Sequence, residues 1–264
     1  MPKIINNIEE IMSLYESGVS STELSLKYGI SRTTMPKIYK RKYGIDSMLP
    51  NQGNIRYFQN LDTKLKAYFL GFITADGCLT NGNRLIINIQ EDDRIILDTL
   101  REEIGCENPI YNTPKKIGKN QVTFALNNDL LYSDLESYGL GPKKSLTMTN
   151  IIVNIPIELR PSFILGYLDG DGWISNSKVR TSHTICHVGF CGTKEFLLGI
   201  VDEIKPDIFR IKKDSKIHSL EFGSSKQEVI KYFHYLYNDQ PFYLKRKYNK
   251  FIDYFNTINY VPIK

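Results

Sequence analysis

The sequence predicts an α+β protein: two pseudo-symmetric αββαββα repeats preceded by a small all-α unit of three helices. Three observations carry this. A ten-residue segment recurs 95 residues downstream, the elements after each copy follow in one order, and the first 45 residues show helical periodicity ending in a basic stretch. The chain has 264 residues, 41% hydrophobic and 24% charged, ordinary globular usage that excludes a disordered chain and allows two or three compact units. No apolar run reaches the ~20 residues that a membrane-spanning helix needs. Acidic Glu9 and Glu10 stand where an export signal would be apolar. Cys78, Cys106, Cys186 and Cys191 lack CxxC spacing, and a core of this size needs no disulfides, so they read as reduced thiols in a cytoplasmic protein. Abundant Ile, Asn, Lys and Tyr suit an AT-rich genome, bacterial or phage.

The elements justify themselves in order. Ile4, Ile8, Ile11, Leu14 and Tyr15 recur at helical spacing over residues 4–17, and Gly18 ends that helix. Ser20 with Glu23 has the form of a capping box opening a second helix through Tyr28. Gly29-Ile30-Ser31 makes a turn, and Ser31 or Thr34 caps a third helix to about Tyr43. Pro36 favours the later start, because proline is tolerated only in the first turn. Five basic residues lie between positions 32 and 42, while the net charge of the whole chain is +5. Two helices, a short turn and a basic helix make the helix-turn-helix layout, and "SSTELSLKYGISRTTMPKIYKRKYG" resembles the homeodomain-like units of resolvases and transposases. That resemblance implies base contacts from Arg32, Thr33, Thr34 and Lys37, and phosphate contacts from Lys40 and Arg41. The unit spans residues 1–45. Residues 46–61, rich in Gly, Pro, Asn and Gln, read as a linker.

The repeat begins beyond the linker. Tyr68-Phe-Leu-Gly-Phe-Ile-Thr-Ala-Asp-Gly77 returns as Phe163-Ile-Leu-Gly-Tyr-Leu-Asp-Gly-Asp-Gly172, so Asp76 matches Asp171 without a gap. A hairpin follows each copy (78–90 and 173–191), then a helix (92–105 and 194–205). A second hairpin (109–126 and 208–223) and a further helix (128–138 and 226–237) complete repeats spanning 62–156 and 157–264.

Small residues at four-residue spacing, Ala67, Gly71 and Ala75 in one helix and Ser162, Gly166 and Gly170 in the other, let two helices touch backbone to backbone. Each helix ends in Asp-Gly, with the glycine expected in the left-handed position after the last turn. Close packing then sets Asp76 beside Asp171. Each carboxylate opposes its helix dipole at a cost of about 0.3–1 kcal/mol, and the two repel one another. A divalent cation relieves both penalties, and an all-oxygen site with room for water suits magnesium, which activates water against a phosphodiester.

The paired motif resembles that of LAGLIDADG homing endonucleases in the single-chain form, over about residues 62–256. The resemblance implies that Asp76 and Asp171 are catalytic and bind metal with the carbonyls of Ala75 and Gly170, magnesium being the cofactor and manganese a substitute. It implies a water-ordering Gln90, replaced in the second repeat by Cys191 or Gly192. It implies polarising lysines, Lys144 and Lys247, with Lys143 and Arg246 as rivals. It further implies saddle-shaped antiparallel sheets lying in the major groove of a long double-stranded target. Both strands would be cut across the minor groove by a monomer belonging to a mobile genetic element. The earlier motif aspartate is Thr74 in the first copy and Asp169 in the second, a position that is not the family's metal ligand.

On that model the base-reading hairpins offer Asn81, Asn83, Arg84 and Asn88, with Arg94 one helical turn on. The second repeat offers Ser175, Asn176, Lys178, Arg180, Arg210, Lys212 and Lys213; Arg and Asn make bidentate contacts to guanine and adenine. A non-cleaving transcriptional regulator on the same scaffold is the alternative, and retention of both aspartates favours the nuclease. An RNA-binding maturase fits less well, because A-form grooves exclude a reading helix. Cys186, His187 and Cys191 lack a second ligand pair for zinc.

Overall fold

Five apolar side chains, Ile11, Met12, Tyr15, Leu24 and Met35, close a small core within the first 52 residues. They belong to α1 (Ile8–Glu16), α2 (Ser21–Tyr28) and α3 (Thr34–Tyr43). The structure, a computed structural model, describes residues 8–16, 21–43, 53–80, 83–115, 117–179, 183–214 and 216–262; the expected first turn at 4–7, Gly18 and the Ser20 cap lie outside them. The chain divides into two compact units, Met1–Gln52 and Gly53–Lys264. In the first, Gly29 turns the chain at φ +67°, and the Thr34 amide donates to Ser31 O at 2.8 Å. α3 therefore starts late, with Pro36 in its first turn, where no N–H is needed.

The second unit runs α4 (Lys64–Asp76), β1 (Gly77–Thr80), β2 (Arg84–Gln90), α5 (Ile95–Ile104), β3 (Tyr111–Thr113), β4 (Gln121–Asn127), α6 (Asp129–Ser137) and α7 (Lys144–Thr147). The order then repeats as α8 (Arg160–Asp171), β5 (Gly172–Val179), β6 (His183–Gly192), α9 (Lys194–Ile204), β7 (Phe209–Asp214), β8 (Ile217–Phe222), α10 (Lys226–Tyr237) and α11 (Lys245–Thr257). The strands form two antiparallel sheets, β1-β2-β4-β3 and β5-β6-β8-β7. Alternation along β2 buries Leu85, Ile87 and Ile89 and leaves Arg84, Asn88 and Gln90 exposed, so each sheet has one packed and one open face.

α4 and α8 are buried on nearly every side, from Ala67 to Ala75 and from Ser162 to Asp169, as expected for helices without a polar face. Their contact is made by backbone. A Cβ placed on Gly71 would stand 1.9 Å from Phe163 O, and one on Gly166 would stand 1.9 Å from Tyr68 O. Fully buried Phe69, Phe72 and Phe163 surround the crossing, each worth about 1.5–3 kcal/mol of burial.

Three expectations are corrected. Gly77 (φ −72°, ψ 133°) and Gly172 (φ −99°, ψ 166°) are extended rather than left-handed. They are the first residues of β1 and β5, and glycine is required by crowding: a Cβ would meet Ile73 O at 2.5 Å or Leu168 Cδ1 at 2.5 Å. The linker placed at 46–61 ends earlier. From Gly53 the chain belongs to the second unit, where Tyr57 and Phe58 are buried in its core and Arg56 pairs with Asp134 at 2.6 Å. Finally, α7 and α11 were not foreseen as helices, and both bear on the site below.

Gly71→Ala should cost about 3 kcal/mol or more, since the clash is with a carbonyl that cannot step aside. Chemical denaturation compared with a control where a Cβ meets nothing, Gly141→Ala, measures it; equal stabilities would show that the helices are not in backbone contact.

Candidate active site

Because α4 and α8 touch along their small residues, their C-terminal turns end together. Asp76 Oδ2 lies 3.1 Å from the place a Cβ on Gly170 would take, and Ala75 Cβ lies 2.3 Å from it. Asp76 is half-buried and Asp171 is exposed. Burial first, then the charge of Asp171, pushes the Asp76 pKa up to about 6, against the pull of Lys144 and Lys247. Lost hydration also raises Asp171 above the ordinary carboxylate value, with both lysines pulling it down. The pair is held with its negative charge only partly compensated.

Each helix end is closed by one buried lysine. Lys144, from α7, donates to Thr74 O at 2.6 Å and Ala75 O at 2.7 Å. Lys247, from α11, donates to Leu168 O at 2.5 Å, Asp169 O at 2.9 Å and Gly172 O at 2.7 Å. Carbonyls in a last helical turn form the negative end of the dipole, and an ammonium both bonds them and offsets their charge; Leu168 O also accepts from the Gly172 amide. Burial lowers both amines, Lys247 to about 8, with Asp169 opposing at Lys247 and Asp171 and Asp76 opposing at Lys144. Lys143, at φ 62°, is exposed, and Arg246 pairs with Asp93, so neither rival reaches these carbonyls.

Asp169 is turned away from the pair. Its Oδ2 accepts from Tyr68 OH and from the Leu244 amide, both at 2.8 Å, while Thr74 folds its hydroxyl onto Leu70 O at 2.7 Å. A cavity of about 140 Å³ opens beside Asp171, lined by Thr74, Ser145, Met148, Tyr167, Cys191, Gly192 and Ile217, with room for water. Among the described residues no group of three His, Cys, Asp or Glu side chains could hold a metal. Two carboxylates with main-chain carbonyls nearby nonetheless make an all-oxygen donor set that fits a hard cation completing its shell with water or substrate oxygens. One lone pair of Ala75 O is already engaged by Lys144.

The strand register sorts the other candidates. Arg84, Asn88 and Gln90 share the open face of the first sheet; Ser175, Arg210 and Lys212 share that of the second. Asn88 donates to Thr123 Oγ1 at 2.6 Å across that face. Asn176, expected to read bases, lies on the opposite face and donates to Lys250 O of α11 at 2.8 Å; Lys178 and Lys213 share its parity. Asn83 sits in the β1–β2 turn and donates to Asp129 at 2.9 Å, and Arg94 is engaged by Asp98 and Asn112 behind the sheet. Arg32, Thr33, Lys37 and Arg41 are exposed and Thr34 half-buried in the first unit. Asn81, Arg180 and the Lys40 side chain lie outside the described residues. Cys186 faces the core while His187 faces the open side and bonds Glu221 at 2.8 Å and Ser177 at 2.9 Å, so alternation separates Cys186 from His187 and Cys191. Glu221 and half-buried Trp173, which share that open face with His187, were not singled out from sequence, because only the pairing register reveals them.

No family model matches the chain, and no curated protein matches it. Its structure is similar to those of LAGLIDADG homing endonucleases. I-LtrWI bound to target DNA superposes with a TM-score of 0.54 at 13% identity, covering 78% of this chain and 92% of that one. I-GzeII in complex with its DNA target gives 0.53 at 13% identity, over 72% and 88%. I-AabMI bound to uncleaved DNA gives 0.52 at 13%, over 75% and 92%. At this identity the superposition shows the fold alone: α4 and α8 with their two sheets have the architecture of the LAGLIDADG endonucleases in one chain.

A carboxyl whose pKa is raised on folding carries no penalty below about pH 4, where it is protonated in both states, and its full penalty above pH 6. Metal-free Asp76→Asn should therefore melt several degrees above the wild type at neutral pH, the gain vanishing in acid. Calorimetry in chelator checks this; equal melting temperatures at neutral pH would mean that the carboxylate is not strained.

Proposed function

We propose that the chain is a site-specific, magnesium-dependent DNA endonuclease that cuts both strands of a long duplex target. The observation that carries this reading is the strained pair of carboxylates, each with its own buried lysine, at the joint of two equivalent repeats. Two equivalent half-sites suit two antiparallel strands. The LAGLIDADG proteins of the same fold are bound to DNA in the structures compared above, which supports duplex DNA as the substrate.

Asp76 and Asp171 would hold the ion or ions, with Ala75 and Gly170 supplying carbonyl oxygens. A bound divalent cation would supply activation of water and stabilisation of the leaving oxygen. Lys144 and Lys247 keep the two helix ends positive and rigid, so the carboxylates stay in place when phosphate approaches. Gln90 stands at the end of β2, on the open face, in a place from which it would orient water in one half-site only. Arg84, Asn88, Ser175, Arg210 and Lys212 are the base-edge and phosphate contacts that the register favours. The N-terminal unit would act as a helix-turn-helix, with Arg32, Thr33, Thr34, Lys37 and Arg41 on duplex DNA. Joined to the nuclease by residues 44–52, it would raise affinity by making its own docking intramolecular.

Incubation with bacterial or phage genomic DNA in magnesium, with ends mapped by sequencing, tests this. Discrete double-strand ends at one long sequence are expected, lost with chelator and reduced about 10³-fold or more in Asp76→Asn and Asp171→Asn. Specific retention of fragments without ends, in wild type and variants alike, would make the protein a regulator and overturn the nuclease.

A further inference from the structure

The two lysine-bearing helices are each fastened from the opposite repeat. Asp93, in the turn leading into α5 of the first repeat, accepts from Arg246 of α11 in the second, Nε at 2.7 Å and Nη2 at 2.6 Å. The Asp93 side chain is only 10% exposed, and this two-pronged geometry fixes direction as well as distance. Arg246 immediately precedes Lys247 in the first turn of α11. Its anchoring therefore sets the rotation of the turn that aims Lys247 at the end of α8. In the corresponding place of the second repeat, Thr193 caps α9 and donates from Oγ1 to Met148 O at 2.5 Å, at the end of α7 in the first repeat. The Met148 amide closes back on Lys144 O at 2.9 Å, so this contact bears on the helix that aims Lys144.

We propose that Asp93–Arg246 and Thr193–Met148 are trans latches, by which each repeat positions the lysine of the other repeat's half-site. Asp93, Arg246 and Thr193 are positioning residues that touch no reacting atom. The inference rests on the nuclease reading and deepens it: neither half-site is complete until the opposite repeat is seated, which couples the two strand cuts. Phe251, Tyr254 and Phe255 keep the body of α11 in the core, so opening the Asp93 latch loosens the first turn without releasing the helix. One lysine drifts while the other stays.

The consequence is strand-specific. With the full chain and a plasmid carrying its mapped target, Asp93→Asn should slow cutting of one strand by roughly 10- to 100-fold, the scale of a misplaced catalytic group. Nicked circles should accumulate. Thr193→Val should slow the other strand, while Asp93→Glu and Thr193→Ser restore most of the rate. A loss of general stability would slow both strands alike, so equal slowing, the same strand in both variants, or no change overturns the proposal. Hydrogen exchange of peptide 244–251 in metal-free, DNA-free protein separates the two readings. Faster exchange there in Asp93→Asn, with α10 unchanged, supports the latch even if the wild type cuts nothing, in which case the nuclease reading alone has failed. Unchanged exchange at 244–251 overturns the latch whatever the wild type cuts.

Discussion

Everything at the candidate site follows from one contact, the backbone-to-backbone crossing of α4 and α8 at Gly71 and Gly166. Helices packed through side chains stand roughly 8–10 Å apart; removal of the side chains at the crossing brings the axes closer and makes the two helix ends one place. The cost is electrostatic. Two helix C-termini, each with about half a negative charge, and two carboxylates share one half-buried space. Lys144 and Lys247 offset the backbone part by donating to five carbonyls between them. The carboxylate part is only partly compensated by the same lysines, and Asp76 remains destabilised in its charged form as a result. That residue of unsatisfied charge is the property a divalent cation would use.

The two repeats are equivalent in topology and differ where they touch. Tyr68 corresponds to Phe163, and Thr74 to Asp169. The two replacements belong together across the interface: the Tyr68 hydroxyl needs the acceptor that Asp169 supplies, and Asp169 needs the Leu244 amide for its second bond. In the other diagonal there is neither phenol nor carboxylate, and Thr74 satisfies itself on its own helix. The Asp169 bond also anchors the residue before α11, so it fixes one end of the helix that carries Lys247. The same aspartate that departs from the first repeat's pattern is thus tied to the placement of the second repeat's lysine.

Much of this was legible in the sequence, and what escaped did so for identifiable reasons. The four-residue spacing of small side chains foretold the helix crossing and the pairing of Asp76 with Asp171, because that spacing has one geometric meaning on a helix. Pro36 foretold the late start of α3. The Asp-Gly dipeptides misled: glycine at a helix end usually marks a left-handed turn, whereas Gly77 and Gly172 are glycines because a Cβ would strike the preceding turn. Lys247 is named only through the family resemblance: α11 opens with Lys245-Arg246-Lys247, and nothing local says that the third is buried. Adjacent Ser175 and Asn176 fall on opposite faces of β5, a distinction set by register with β6 and invisible in composition.

The claim on which the rest depends is that the two carboxylates share one field. Carboxyl-carbon NMR of metal-free protein, following Asp76 through a pH titration in wild type and in Asp171→Asn, measures it directly. The pKa of Asp76 should be well above the ordinary carboxylate value in the wild type and should fall clearly when the charge of Asp171 is removed, burial, with a smaller push from Asp93, holding it up thereafter. An Asp76 pKa that does not respond to the loss of Asp171 would contradict the account.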